Sequence, residues 1–409
     1  MKQAILLAIL LFSQQQLAQK FVIKLDHYAP SASTDDLKAL DQYFQNRQLV
    51  GLGESTHGTH EFFVMRHRLI RYLVENHQFN RVFMEADFAN CLAVNDYISG
   101  KGGTAAEAVD NLALWPWETE EFVELVEWLK LYNQSHPSNS VEFVGVDVQK
   151  IGETVRRLEM LLAKYDLPGR EDEMIDATAF YKLGGKEILE MRSVEVARYE
   201  GVDVSSFSSQ DTYEYKWLFR HLDQILSEKS EKKSKQNGYR DKMMAENILE
   251  HLKEGSKKKG VFWAHNGHVA NLFNKKKDKG VAGGYLKKTL GAEYFILGQE
   301  FDYGSFNART KPAEYSKDYN EWKLMEVEVE ESPEGSVAAY YRSNNHPIMF
   351  IPFDRLPEEL TVYMNFIGAV YWTNKKGEAP EYLRRNNHGR EAFDAIILFQ
   401  ESTPTKLLK

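Results

Sequence analysis

The chain has 409 residues, 43% of them hydrophobic, with 60 acidic and 51 basic side chains for a formal charge of −9. That balance argues against a nucleic-acid partner, and the single cysteine, Cys91, excludes an intramolecular disulfide. A chain this long buries enough apolar surface to do without one.

Residues Met1–Ala18 read as a signal peptide: Lys2, an apolar run from Ala4 to Phe12, then a polar stretch ending before Gln19. The run is far short of the roughly 20 residues a membrane-spanning helix needs, and none of that length follows, so stable membrane insertion is not expected. No cysteine near the leader offers a lipid anchor. The expectation is an exported protein, periplasmic or secreted, whose mature domain is 19–409.

Seven short apolar runs follow in chain order: Leu49–Leu52, Arg81–Met84, Val141–Val146, Val261–Ala264, Tyr294–Leu297, Met349–Pro352 and Ala395–Phe399. Each is nearly continuous rather than alternating, which marks strands buried on both faces. Helix-patterned sequence separates them. Glu61–His77 places Phe62, Met65, Leu69, Tyr72 and Leu73 on one face, and Glu120–Gln134 begins after Thr119, a suitable N-cap. The expected fold is α/β, a mostly parallel central sheet flanked by helices, with a helical insertion at about 152–255 between the third and fourth strands. Within it, the polar stretch Ser227–Gln236 reads as a mobile loop, and the lysine runs 257–259 and 275–277 as solvated loops. Cys91, flanked by Phe88 and Val94, reads as a small buried hydrophobe.

Ligands of such sheets bind at the carboxyl ends of the strands. Here those ends carry Gly53-Glu54-Ser55-Thr56-His57-Gly58, Glu85-Ala86-Asp87, Asp147, His265-Asn266-Gly267-His268 and Gln299-Glu300. One shared polar site explains this better than five separate accidents.

Gly53–Phe62, Glu85, Val144–Asp147, Arg240–Asn247, Trp263–Val269 and Phe393–Ile396 together resemble the erythromycin esterase family over nearly the whole chain, from about residue 47 to 405. The resemblance implies an ester hydrolase that opens a macrolide lactone with water, an activity tied to antibiotic resistance. The family also holds proteins of polysaccharide biosynthesis with undefined substrates. Two positions depart from its pattern, His60 for the more frequent arginine and Gly267 for the more frequent alanine. Both bear on the pocket rather than on the reaction.

The residues themselves suggest roles. No Gly-x-Ser-x-Gly elbow occurs, which disfavours a serine nucleophile and leaves attack by activated water. His57 is the expected general base, with Glu54 or Glu85 fixing its ring. His265 and His268, three apart, are candidates to donate to an oxyanion, His268 preferred, with Asn266 beside them. Arg66 either pairs with Glu54 or Glu85 or is an exposed helix arginine. Trp115 and Trp117 either wall an apolar pocket or, the preferred reading, pack in the core. Asp147 is placed near the site. No cofactor or metal is expected. A metal-dependent hydrolase using the same histidines and acids is the leading alternative, and an exported binding protein without turnover is another.

The leader reading has a direct check. Mass spectrometry of the exported protein from its host is expected to find an amino terminus close to Gln19, and an intact Met1 in that fraction would contradict it.

Overall fold

A computed structural model describes residues 22–169, 180, 182–254, 258–310, 322–356, 360, 362–373, 381–384, 386–387 and 389–408. The proposed signal peptide lies outside them. The central sheet contains β1 (Ile23–Lys24), β2 (Leu49–Leu52), β3 (Arg81–Asp87), β4 (Glu142–Asp147), β5 (Gly260–Trp263), β6 (Tyr294–Thr310), β7 (Lys323–Val329), β8 (Ile348–Pro352) and β9 (Ala395–Ser402). Its order is β1-β8-β9-β6-β2-β5-β3-β4, with β7 paired to β6. The pairings from β9 through β6, β2, β5 and β3 to β4 are all parallel. Those of β1 with β8, β8 with β9 and β7 with β6 are antiparallel. The mostly parallel sheet expected from the sequence is therefore present.

Every residue of β2, β3 and β5 is buried, the reason their apolar runs do not alternate. Val50 and Leu52 enter one core with Phe62 and Phe63 of α1 (His60–His77) and Phe122 of α3 (Glu120–Ser135). Leu49 enters the other, with Trp217 and Met244. Cys91 is buried in α2 (Phe88–Ile98), where burial drives its thiol well above the ordinary range. Thr119 caps α3 as expected, accepting from the Phe122 N–H at 3.2 Å.

Between β4 and β5 the described residues form four long helices: α4 (Gly152–Lys164), α5 (Gly185–Glu200), α6 (Ser209–Ser230) and α7 (Lys233–Lys253). Two expectations change here and in the sheet. The polar stretch 227–236 is not a loop, because α6 and α7 run through it and only residues 231–232 break the helix. The strand at Tyr294 does not stop at Leu297 but continues to Thr310, since β9 and then β7 supply edge partners for its polar half. Gln299 and Glu300 thus lie within a strand rather than after one.

The carboxyl ends of β2, β3, β4 and β5 converge, and close packing between their loops restricts side chains. A Cβ on Gly53 would lie 2.2 Å from Asn266 Oδ1, and one on Gly58 would lie 2.0 Å from the Asn307 carbonyl oxygen. Gly58 also accepts from the Asn307 and Thr405 N–H groups, so it cannot retreat without losing both hydrogen bonds. Gly58→Ala is accordingly expected to destabilise the fold by about 2 kcal/mol or more, read from urea or thermal unfolding. Unchanged stability would show that the loop relaxes freely.

Candidate active site

The loop after β2 folds back so that the Glu54 carboxylate meets the ring of His57, with Oε1 2.5 Å from Nδ1. Glu54 is fully buried and its other oxygen accepts from Arg66 Nη1. Arg66 is on α1, four residues after Phe62 and three before Leu69, hence on the buried stripe of that helix. Its guanidinium lies 4.7 Å over the Trp263 ring. Burial lowers the Arg66 pKa, and Glu54 opposes that. The acid fixing His57 is thus Glu54, not Glu85.

Glu85 belongs to a second network. Its Oε2 accepts the His265 backbone N–H at 2.9 Å, while Oε1 accepts from Arg240 Nη2 at 2.8 Å and lies 3.3 Å from His268 Nε2. The opposite nitrogen of His268 is 2.7 Å from Asp241 Oδ1. Arg240 also grips Asp147 through Nε at 2.7 Å and through Nη2. Burial opposes the imidazolium form of His268, but Glu85 and Asp241 overcome it and raise its pKa to about 10. Burial pushes Glu85 up, yet His268, His57 and Arg240 hold it well below the carboxylate range. His268 is therefore a cation at neutral pH, suited to stabilising negative charge and unsuited to removing a proton.

The two networks meet at a cleft of about 490 Å³ lined by His57, Glu85, His265 and His268 among others. Residues 365–369 form a strap along one side. Ile367 and Gly368 N–H donate to the Ser55 carbonyl at 3.0 and 2.9 Å, and His57 N–H donates to the Gly368 carbonyl at 3.1 Å. The left-handed φ of +64° at Gly368 makes this turn, and Phe366 sets its ring against His265 at 4.7 Å. A Cβ on Gly267 would come within 2.7 Å of Phe366, so the glycine departure gives that ring room. Trp115 and Trp117 both line the cleft; Trp117 is also packed in the core, with its ring edge-on to His57 at 5.6 Å.

Of the sequence candidates, His57, Glu85, His265, His268, Trp115 and Trp117 reach the cleft wall. Glu54, Arg66, Asp147 and Asn266 stand behind it; the Asn266 N–H donates to the Glu54 carbonyl at 2.7 Å, and its Nδ2 donates to the Gln299 carbonyl. Arg66 is not an exposed helix arginine. His60, expected to bear on the pocket, pairs with Glu121 at 2.6 Å instead. Glu300 does not join the cleft either. It accepts from Asn365 N and Nδ2 at 2.6 and 2.7 Å and from Ser55 Oγ at 3.3 Å, and burial raises its pKa to about 7. Arg240 and Asp241 were missed as site residues, although Asp241 is on the buried face of α7 with Met244 and Ile248 and the half-buried Arg240 lies one turn before Met244. Among the described residues, no three His, Cys, Asp or Glu side chains are grouped to hold a metal ion.

The family described as "Erythromycin esterase" matches residues 74–402. Erythromycin esterase type II of Escherichia coli is 25% identical over 94% of this chain and 96% of its own. A Bacillus cereus protein of known structure superposes with a TM-score of 0.75 at 20% identity, over 97% of this chain and 99% of that one. An erythromycin esterase mutant in its open conformation superposes at 0.65 and 16% identity, over 93% and 98% respectively. At these identities the two structures establish the fold alone.

The His268 network predicts a pH dependence of stability. A pKa raised from 6.5 to about 10 gives stabilisation that is complete below about 6.5 and is lost as pH rises towards 10. Urea unfolding across that window is expected to show falling stability, with a shallower fall in His268→Asn. Parallel slopes in the two proteins would rule out a charged His268.

Proposed function

The chain belongs to the erythromycin esterase family, and on that premise we propose that it is an exported hydrolase that cleaves a carboxylic ester or macrolactone with water activated by His57. The observation that carries this reading is the buried Glu54–His57 contact at the cleft wall. With Nδ1 committed to Glu54, the ring presents Nε2 to a water in the cleft, and Arg66 holds the Glu54 carboxylate in place.

The reaction then runs in two steps. His57 Nε2 takes a proton from water as the water oxygen bonds to the ester carbonyl carbon, giving a tetrahedral intermediate with its charge on the former carbonyl oxygen. The His268 imidazolium, with His265 beside it, supplies positive charge for that oxygen. As the intermediate collapses, the carbon–oxygen bond to the leaving group breaks, and His57 returns the proton to the departing alkoxide. Glu54 stabilises the transient imidazolium throughout. The reaction uses no metal ion and no cofactor. The substrate is a small molecule, and export places it in the periplasm or outside the cell.

General-base assistance is typically worth about 10²- to 10⁴-fold. His57→Ala is expected to lower kcat by that order while leaving folding intact, and Glu54→Gln to lower chiefly kcat by removing the charge opposite the imidazolium. Because the pair acts as one unit, the double variant should lose far less than the product of the single losses. A fully active His57→Ala enzyme would place the base elsewhere.

A further inference from the structure

The protein carries a net charge of −9, yet its cleft is lined by the opposite sign. Lys150, Arg240, Arg309 and the charged His268 face Glu85, the one carboxylate among the lining residues. Both Glu85 oxygens are already engaged, one by the His265 N–H and the other by Arg240 and His268. A cationic group on a substrate would therefore meet a single carboxylate already shared by two cations, and an anionic group would meet a favourable field.

Lys150 differs from Arg240 and His268. Arg240 is neutralised by Asp147 and Glu85, and His268 by Glu85 and Asp241. The Lys150 ammonium donates to the Ala113 carbonyl oxygen, and among the described residues no carboxylate lies at ion-pair distance from it. It is partly buried, and burial draws its pKa below the ordinary lysine range against the pull of Asp87 and Glu118. Asp87 compensates only in part, because burial beside Asp147 raises its own pKa to about 7. An ammonium so placed has donors to spare and lacks a counter-charge.

Its position fits a substrate longer than the reacting ester. Lys150, Gln149 and Arg240 also line a second concavity of about 370 Å³, together with Gln236, Asn237 and the Glu228–Lys229 pair, whose charges offset each other at 3.2 Å. Lys150 stands where the two spaces meet. We propose that the substrate of this cleft is an ester bearing a carboxylate or similar oxyanion, which pairs with Lys150 at that junction. The proposal rests on the hydrolytic reading of the same cleft and narrows it to a substrate class.

The test compares three para-nitrophenyl esters of similar acyl length: the pentanoate, the monoglutarate with a terminal carboxylate, and the trimethylammoniobutanoate with a terminal cation. The monoglutarate is expected to exceed the pentanoate in kcat/KM by about 10-fold or more, the cationic ester to be poorest, and added salt to compress the differences. Lys150→Met should collapse the glutarate-to-pentanoate ratio and Lys150→Arg should keep it. Equal rates for the three esters, preference for the cationic one, or an unchanged ratio in Lys150→Met would overturn the proposal while leaving the hydrolase reading standing. Calorimetric binding of glutaric monoanilide against pentananilide separates the two failures. If no ester is turned over, the hydrolase reading fails; Lys150-dependent preference for the anionic anilide would still support the anion site, and its absence would end that proposal too.

Discussion

The site depends first on the ion pair between Glu54 and Arg66, both fully buried. Neither charge is tolerable in the interior alone: removing one partner of such a pair typically costs about 3–5 kcal/mol, because the other is left without water or counter-charge. Arg66 comes from the core face of α1 and Glu54 from the loop after β2, so docking the helix on the sheet is the same event as positioning the loop. Among the described residues the Arg66 Nε and Nη2 atoms have no hydrogen-bond partner, and the Trp263 ring covers the guanidinium face. Glu54 is thus the group that keeps Arg66 in place, and His57 sits on the carboxylate oxygen that Arg66 does not take.

From that constraint follows a division between two histidines with carboxylate partners. His57 has one acid and an arginine behind that acid. His268 has an acid on each ring nitrogen, Asp241 at 2.7 Å and Glu85 at 3.3 Å, and is held as a cation. The same residue type is thereby held in two different settings on one cleft, a ring with a single carboxylate on Nδ1 and a ring with a carboxylate at each nitrogen. His265 lies between, its ring centroid 5.4 Å from that of His57 and 6.4 Å from that of His268.

How much of this the sequence disclosed depends on how local the signal was. Continuous apolar runs revealed β2, β3 and β5, because burial on both faces leaves no polar alternation to mislead. Polar residues at their ends revealed His57, Glu85 and His265–His268. The second half of β6 was hidden, since Gly298, Asp302, Gly304 and Ser305 resemble turn residues and only pairing with β7 and β9 makes a strand of them. The choice between Glu54 and Glu85 as the partner of His57 was illegible, because it is settled by the distant Arg66 and Arg240. Arg240 and Asp241 stand out in the sequence only within the Arg240–Asn247 segment of the family resemblance, without a role of their own. Their three- and four-residue offset from Met244 was the available sign that they turn inward.

Those two residues also decide what kind of structure the helices between β4 and β5 make beside the cleft. Arg240 binds Asp147 at the end of β4 and Glu85 at the end of β3, Asp241 binds His268, and farther along α7 Asn247 Nδ2 donates to the Val146 carbonyl at 3.0 Å. Lifting α7 away would separate several buried or half-buried charges at once, each separation carrying a desolvation penalty. This helix is therefore a fixed wall. The shape of the cleft on that side is set by ion pairs formed during folding, and the proposed preference among substrates therefore rests on the half-buried side chains at the β4 end, Lys150 and Gln149, rather than on movement of α7.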